Sequence, residues 1–200
     1  HKKDDGLIAQ LLHDDSHATA LSDDELISNT ILLLNAGHEA TVHQLGNAVY
    51  TLLLTYPLSR RNELISLLAN DRTANAVVTE CLRFCAPLHL FTRFAQSDIT
   101  LEANVKVHRG EQIGLLLAAA NRCPAKFRNP NTFDPMREDT AHLSLGAGLH
   151  FCLGAQLARL ELLVALQVLF DRLPGLELAS KPQYQDAWHF HGLVELPLRW

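Results

Sequence analysis

The stretch Leu145-Gly146-Ala147-Gly148-Leu149-His150-Phe151-Cys152-Leu153-Gly154 carries more chemistry than any other part of the chain. Gly146 and Gly148 permit backbone angles and close approach that a side chain forbids. A strongly apolar pattern predicts a helix over 152–173, closed by Pro174-Gly175. Cys152 then falls at a helix N-terminus, where unpaired N–H groups and the positive end of the dipole favour thiolate over thiol. His150 adds a donor or a positive charge beside it. A sulfur held in this way suits metal ligation or nucleophilic attack.

Three readings follow from those residue types. The plainest is a glycine-rich turn ahead of a helix with a buried cysteine. A dinucleotide loop is rejected, because Gly146-x-Gly148-x-x-Phe151 lacks the third glycine and follows no clear strand. The third is a thiolate ligand to haem iron. A cysteine-nucleophile enzyme using Cys152 and His150 is a weaker idea.

Composition bounds the rest. The 200 residues are 48% apolar and 20% charged, with a net charge of −5. These are values of a folded chain, and the acidic balance argues against non-specific nucleic-acid binding. No apolar run reaches the ~18 residues of a membrane span. The opening His1-Lys2-Lys3-Asp4-Asp5 leads into no long apolar run, which predicts no secretory signal. With no initiator Met, the sequence reads as a cut or mid-protein piece. Cys81, Cys85 and Cys123 form no CxxC pair and read as small buried hydrophobes.

Ser22-Asp23-Asp24-Glu25 is a capping box. It predicts a helix that runs to Tyr56, is stopped by Pro57, and is ~52 Å long. Its centre, Asn35-Ala36-Gly37-His38-Glu39-Ala40-Thr41, is oddly polar for a buried helix. Gly37 lets something flat approach, and Thr41 at i+4 puts a hydroxyl on the same face. Glu39 lies ~200° around from that face of an ideal helix, so a local distortion is expected here. The zinc-protease pattern is excluded: His38 and His43 are five apart and ~140° around the helix from one another. His189 and His191 read as strand-end residues. Further helices are predicted over 58–68 and 73–85. Short strands are predicted over 89–95, 99–101, 105–107, 112–117, 176–179 and 189–199, with a long irregular stretch over 121–149.

The cysteine segment resembles the haem-binding signature of the cytochrome P-450 family, the haem-thiolate monooxygenases. It matches at Gly146, Gly148, His150, Cys152 and Gly154, and departs at Leu145, where the family usually has Phe. Ala155-Gln156-Leu157-Ala158-Arg159-Leu160-Glu161 resembles the helix that follows in soluble bacterial members. Glu80-Cys81-Leu82-Arg83 is similar to the family's Glu-x-x-Arg pair. With Arg137 it resembles the Glu-Arg-Arg structural triad. Ala119-Ala120-Asn121-Arg122-Cys123-Pro124 resembles the Ala-Asn-Arg-Asp-Pro stretch, with Cys123 for Asp. Ala36-Gly37-His38-Glu39-Ala40-Thr41 resembles the oxygen-binding segment, with Ala40 for its first Thr.

The resemblance covers essentially all 200 residues, as roughly the C-terminal half of a family member with the N-terminal half absent. It implies one mainly α part with small antiparallel β-sheets. It implies haem b (iron protoporphyrin IX) with Cys152 as the metal ligand, and Arg93 and His150 on the propionates. Thr41 and Glu39 take catalytic roles toward O2, and Ala36, Gly37, Leu145, Gly146, Gly148 and Gly154 lie against the cofactor. It implies O2-dependent hydroxylation of a small hydrophobic molecule, electrons from a ferredoxin or flavin-type donor, and a soluble cytoplasmic protein. The alternative is a non-catalytic haem-binding or interaction fragment. Residues 88–92 and 189–191 are candidate substrate-lining positions.

Overall fold

The computed structural model describes residues 6–13 and 21–200, so the reading of His1–Asp5 falls outside the described residues. Helix α1 is Leu7–His13. Helix α2, Asp23–Thr55, begins where the capping box places it: the Glu25 N–H donates to Ser22 Oγ at 3.4 Å, and Glu25 Oε2 accepts the Ser22 N–H at 2.9 Å. The Ser22 N–H and the Ser22 hydroxyl, both donating to Glu25 Oε2, hold the Glu25 carboxyl below its ordinary range. The expected distortion at Gly37 does not occur. Every residue of α2 is α-helical, with no 3-10 or π turn between Ala36 and Thr41. One tolerated glycine costs a helix about 1 kcal/mol and does not break it.

By their contacts the residues form two units, one ending at Glu39 and one spanning Ala40–Trp200. In the first, Ile27, Ile31, Leu32 and Leu34 of α2 are exposed. The second contains a packed core of helices. A 3-10 turn at Leu58–Arg60 leads into α3, Arg61–Leu68. Helix α4, Asp71–Phe84, is capped by Asn70, whose side chain accepts from the Arg72 and Thr73 N–H groups. After the short α5, Leu117–Ala120, the last helix is α6, Ala155–Arg172. Leu52 of α2, Leu64 of α3, Val77 and Cys81 of α4, and Leu162, Leu166 and Phe170 of α6 close one core. Burial of this apolar surface is what holds the helices together.

Among the described residues the β-structure is four separate antiparallel pairs. β1 (Leu90–Phe94) pairs with β4 (Gln112–Leu116), with Arg93 opposite Ile113. β2 (Ile99–Thr100) pairs with β3 (Lys106–Val107). β5 (Glu177–Leu178) pairs with β8 (Leu198–Arg199), and β6 (Gln183–Tyr184) with β7 (Leu193–Glu195). The architecture is therefore mainly α with small antiparallel sheets, as the sequence predicts. No described helix is long and apolar enough to cross a membrane.

Candidate functional site

The helix after the cysteine starts later than its apolar pattern suggests. Helix α6 begins at Ala155, so Cys152 stands three residues ahead of it. Its position is set by its own backbone: the Cys152 N–H donates to Leu145 O at 2.8 Å. A 3-10 turn at Gly148–His150 fills the loop between them, and the Ala155 N–H returns to Cys152 O at 3.2 Å. Gly146 has φ +72°, and a Cβ there would lie 2.8 Å from His150 O, so no other residue fits. Gly148 also has a positive φ, +63°, but a Cβ there meets nothing within 4 Å, and the same is true at Gly154. The Cys152 thiol is free and half-buried. Around it in sequence Leu149, Phe151 and Leu153 are exposed, Leu149 completely so at 102%. The side chain of Leu145 turns the other way, packed against the core.

Glu80, Arg83 and Arg137 come together behind this loop. Arg83 donates to both Glu80 oxygens at 2.8 and 2.7 Å, and Arg137 Nε donates to Glu80 Oε2 at 3.0 Å. Glu80 and Arg83 are buried, so each charge depends on the other. The guanidiniums also collect backbone carbonyls. Arg83 donates to Asn121 O and Pro130 O at 2.8 and 3.0 Å, and Arg137 to Thr132 O at 3.1 Å. The irregular stretch is thereby tied to α4.

Asn121, His142, Ser144 and Arg159 extend this network to the cysteine loop, a role their local sequence does not signal. Asn121, fully buried, donates to Ser144 Oγ at 2.7 Å and accepts the Leu143 N–H at 2.7 Å. The Gly146 N–H then donates to Leu143 O at 2.9 Å. His142 Nδ1 faces the Ser144 N–H at 3.3 Å, and its Nε2 faces Arg159 Nη2 at 3.1 Å. Burial first, then the positive charge of Arg159, pushes the His142 imidazole down to about 4.

The remaining candidate residues sit on β1, on α2 and in the cysteine loop itself. Arg93 on β1 donates to Thr92 O at 2.8 Å with its guanidinium over the Phe91 ring. His150 is exposed. Thr41 is half-buried on α2, whereas Ala36, Gly37 and Glu39 are exposed in the other unit. His38 is exposed and His43 buried, and no cluster of three metal-ligating side chains occurs among the described residues.

The cytochrome P450 family model matches residues 1–183. The chain is 42% identical over 179 residues to the biotin biosynthesis cytochrome P450 of Bacillus subtilis, covering 89% of this chain and 44% of that protein. It is 36% identical over 202 residues to the cytochrome P450 monooxygenase PikC of Streptomyces venezuelae, covering 98% of this chain and 47% of that protein. Among solved structures, P450BioI in complex with an acyl carrier protein ligated to hexadec-9Z-enoic acid superposes with a TM-score of 0.84. That match has 40% identity and covers 95% of this chain and 47% of that one. The chain thus spans about half the length of the relatives it matches. A cysteine loop braced by a buried Glu-Arg-Arg network, together with these matches in sequence and in backbone, means that the chain belongs to the cytochrome P450 family.

Proposed function

We propose that this chain is the sulfur-bearing part of a haem-thiolate monooxygenase, with haem b held by Cys152. One arrangement supports the reading above all. A free thiol is fixed from behind by the bond from its own amide to Leu145 O, and it stands among outward-facing Leu149, Phe151 and Leu153. A flat apolar macrocycle with a soft metal needs an anionic sulfur, an apolar bed and room in front, and the open positions at Gly148 and Gly154 leave that room. Haem b, when bound, supplies the reductive activation of O2 that inserts one oxygen atom into a C–H bond.

The chain's own residues do the rest in this reading. Cys152 provides the thiolate. His150 and Arg93 donate to the propionates. The Thr41 hydroxyl hydrogen-bonds dioxygen, and the Glu39 carboxylate passes protons from solvent through water. Ala36 and Gly37 leave backbone open to close approach. Glu80, Arg83 and Arg137 hold the loop that holds the sulfur, a structural role. The substrate is a small hydrophobic molecule, in keeping with the fatty acyl chain in the P450BioI complex. Electrons come from a ferredoxin or flavin-type donor in the cytoplasm.

The test is the absorption spectrum of the haem-loaded, reduced protein under carbon monoxide. A strongly red-shifted Soret band is expected, and Cys152→Ser abolishes it. A Cys152→Ser protein that kept the band would refute the ligand assignment. Because the chain spans about half of its relatives, a second reading is haem binding without turnover. Haem stoichiometry near one, with no product from any donor, would select it.

A further inference from the structure

Away from the cysteine loop, a cavity of about 480 Å³ opens beside the end of α4. Thr51, one of its walls, lies ten residues beyond Thr41 on α2, or ~15 Å along the axis. None of the residues assigned to haem above lines it. Its other walls include Tyr50, Cys85, His89, Tyr184 and His191.

Three of these form a ring stack. The His89 and His191 centroids are 4.3 Å apart at 20°, and the Tyr184 and His191 centroids 3.9 Å apart at 14°. The stack joins two distant pieces of chain, the segment after α4 and the C-terminal segment. Alongside it the His191 N–H donates to Pro87 O at 2.7 Å, and the His89 N–H to His189 O at 3.1 Å. Asn47 Nδ2 of α2 donates to His191 O at 2.7 Å. The Gln185 N–H donates to Gly192 O at 2.8 Å, closing the C-terminal segment on itself.

The chemistry of the walls is hostile to a proton. The ionisable groups that line the cavity with the stack are Tyr50 from α2, Arg83 from α4, Cys85 just after it, Arg122 after α5, and Tyr184 from β6, and two more imidazoles lie close by in chain and space, His189 against Phe91 and His43 against Phe190 and Gly192. Two of the lining groups are guanidiniums, of which Arg83 is neutralised by Glu80, and no carboxylate is among the lining residues. An imidazolium here would lose water, gain no counter-ion among the lining residues, and meet a second imidazole that competes for the same proton, and the bond between His89 and the Ala86 backbone offsets this only in part.

We propose that the His89–His191 stack is a proton-operated latch on this cavity. With both rings neutral, the latch holds the segment around His191 against the end of α4 and closes the cavity wall. Protonation of both rings sets two like charges face to face, and the segment lifts away. The ionisation of each ring is depressed below 6.5, chiefly by burial and, for His191, also by His89. A base that is harder to protonate when folded contributes stability above 6.5 and loses it as the pH falls below 6.5. The latch is therefore closed at neutral pH and released in acid, independently of any haem role for Cys152.

Amide hydrogen exchange of the purified protein tests this, with rates corrected for their intrinsic pH dependence. Between pH 7.5 and pH 5.0 the Gln185 and His191 amides are expected to lose at least tenfold in protection, while the Leu166 amide of α6 keeps its own. His89→Phe with His191→Phe keeps a ring stack and removes the protons, so its protection no longer responds. Unchanged protection in the wild type, an equal loss in the double variant, or a loss shared by Leu166 would overturn the latch. A measurement on the unmutated protein stands beside it. Both imidazole resonances must titrate below 6.5 by NMR, and an ordinary midpoint for either also overturns it.

Discussion

Arg83 donates to the Asn121 carbonyl at 2.8 Å, and that one bond joins the buried ion pair on α4 to the loop that carries the cysteine. Asn121 passes the connection on with both ends of its amide, to Ser144 and to Leu143. The sulfur's backbone is thus referred, through four residues, to a charge pair that cannot move without exposing itself.

Asn121→Ala removes two side-chain bonds and strands the Leu143 N–H, while the Ser144 hydroxyl keeps the Leu82 carbonyl. Each buried polar group left unpaired costs ~1–3 kcal/mol. A loss of ~1–3 kcal/mol in urea unfolding is expected, with weaker haem retention at equal haem concentration. A midpoint unchanged from wild type would show that the amide carries no load.

The two left-handed glycines separate by what surrounds them. Gly148→Ala strains φ alone and is expected to cost ~1–2 kcal/mol. Gly146→Ala adds a Cβ 2.8 Å from His150 O, so its cost exceeds that of Gly148→Ala. Thermal melts of both variants decide the order, and an equal or reversed ranking contradicts the contact.

Glu80→Gln strands the buried Arg83 guanidinium, while Arg137 keeps Asp139 at 2.9 Å. Breaking such a pair from one side costs ~3–5 kcal/mol. The exposed Arg60–Glu63 pair at 2.6 Å makes the contrast, since solvent screens it. Glu63→Gln is expected to leave the unfolding midpoint in place. Equal effects from the two variants would mean that burial does not set the value of the ion pair.

His142 predicts a specific acid limb. Its imidazole is pushed down from 6.5 to about 4, so the neutral ring contributes stability above 6.5. That contribution drains away as the pH falls from 6.5 toward 4, reaching ~3 kcal/mol in all. Stability measured at pH 7 and at pH 4 should differ less in His142→Asn than in wild type. Identical pH profiles for the two proteins would exclude His142 as the source.

Much of the local structure is legible from short-range chemistry. Ser22 and Glu25 start α2, and Gly146, Gly148 and Cys152 announce the cysteine loop, because capping and left-handed turns depend on residues within four of one another. The family and the mainly α class follow from such marks. What only the tertiary structure decided are the relations between remote residues. Asn47 reaches the carbonyl of His191 across 144 residues, and Arg159 reaches Thr79 across 80. The start of α6 at Ala155 was decided the same way: the Cys152 amide takes the carbonyl of Leu145, and no apolar period encodes that choice. Protonation belongs there as well, since the depressed imidazole of His142 is a product of packing and of a distant guanidinium, and neither is written beside it in the chain.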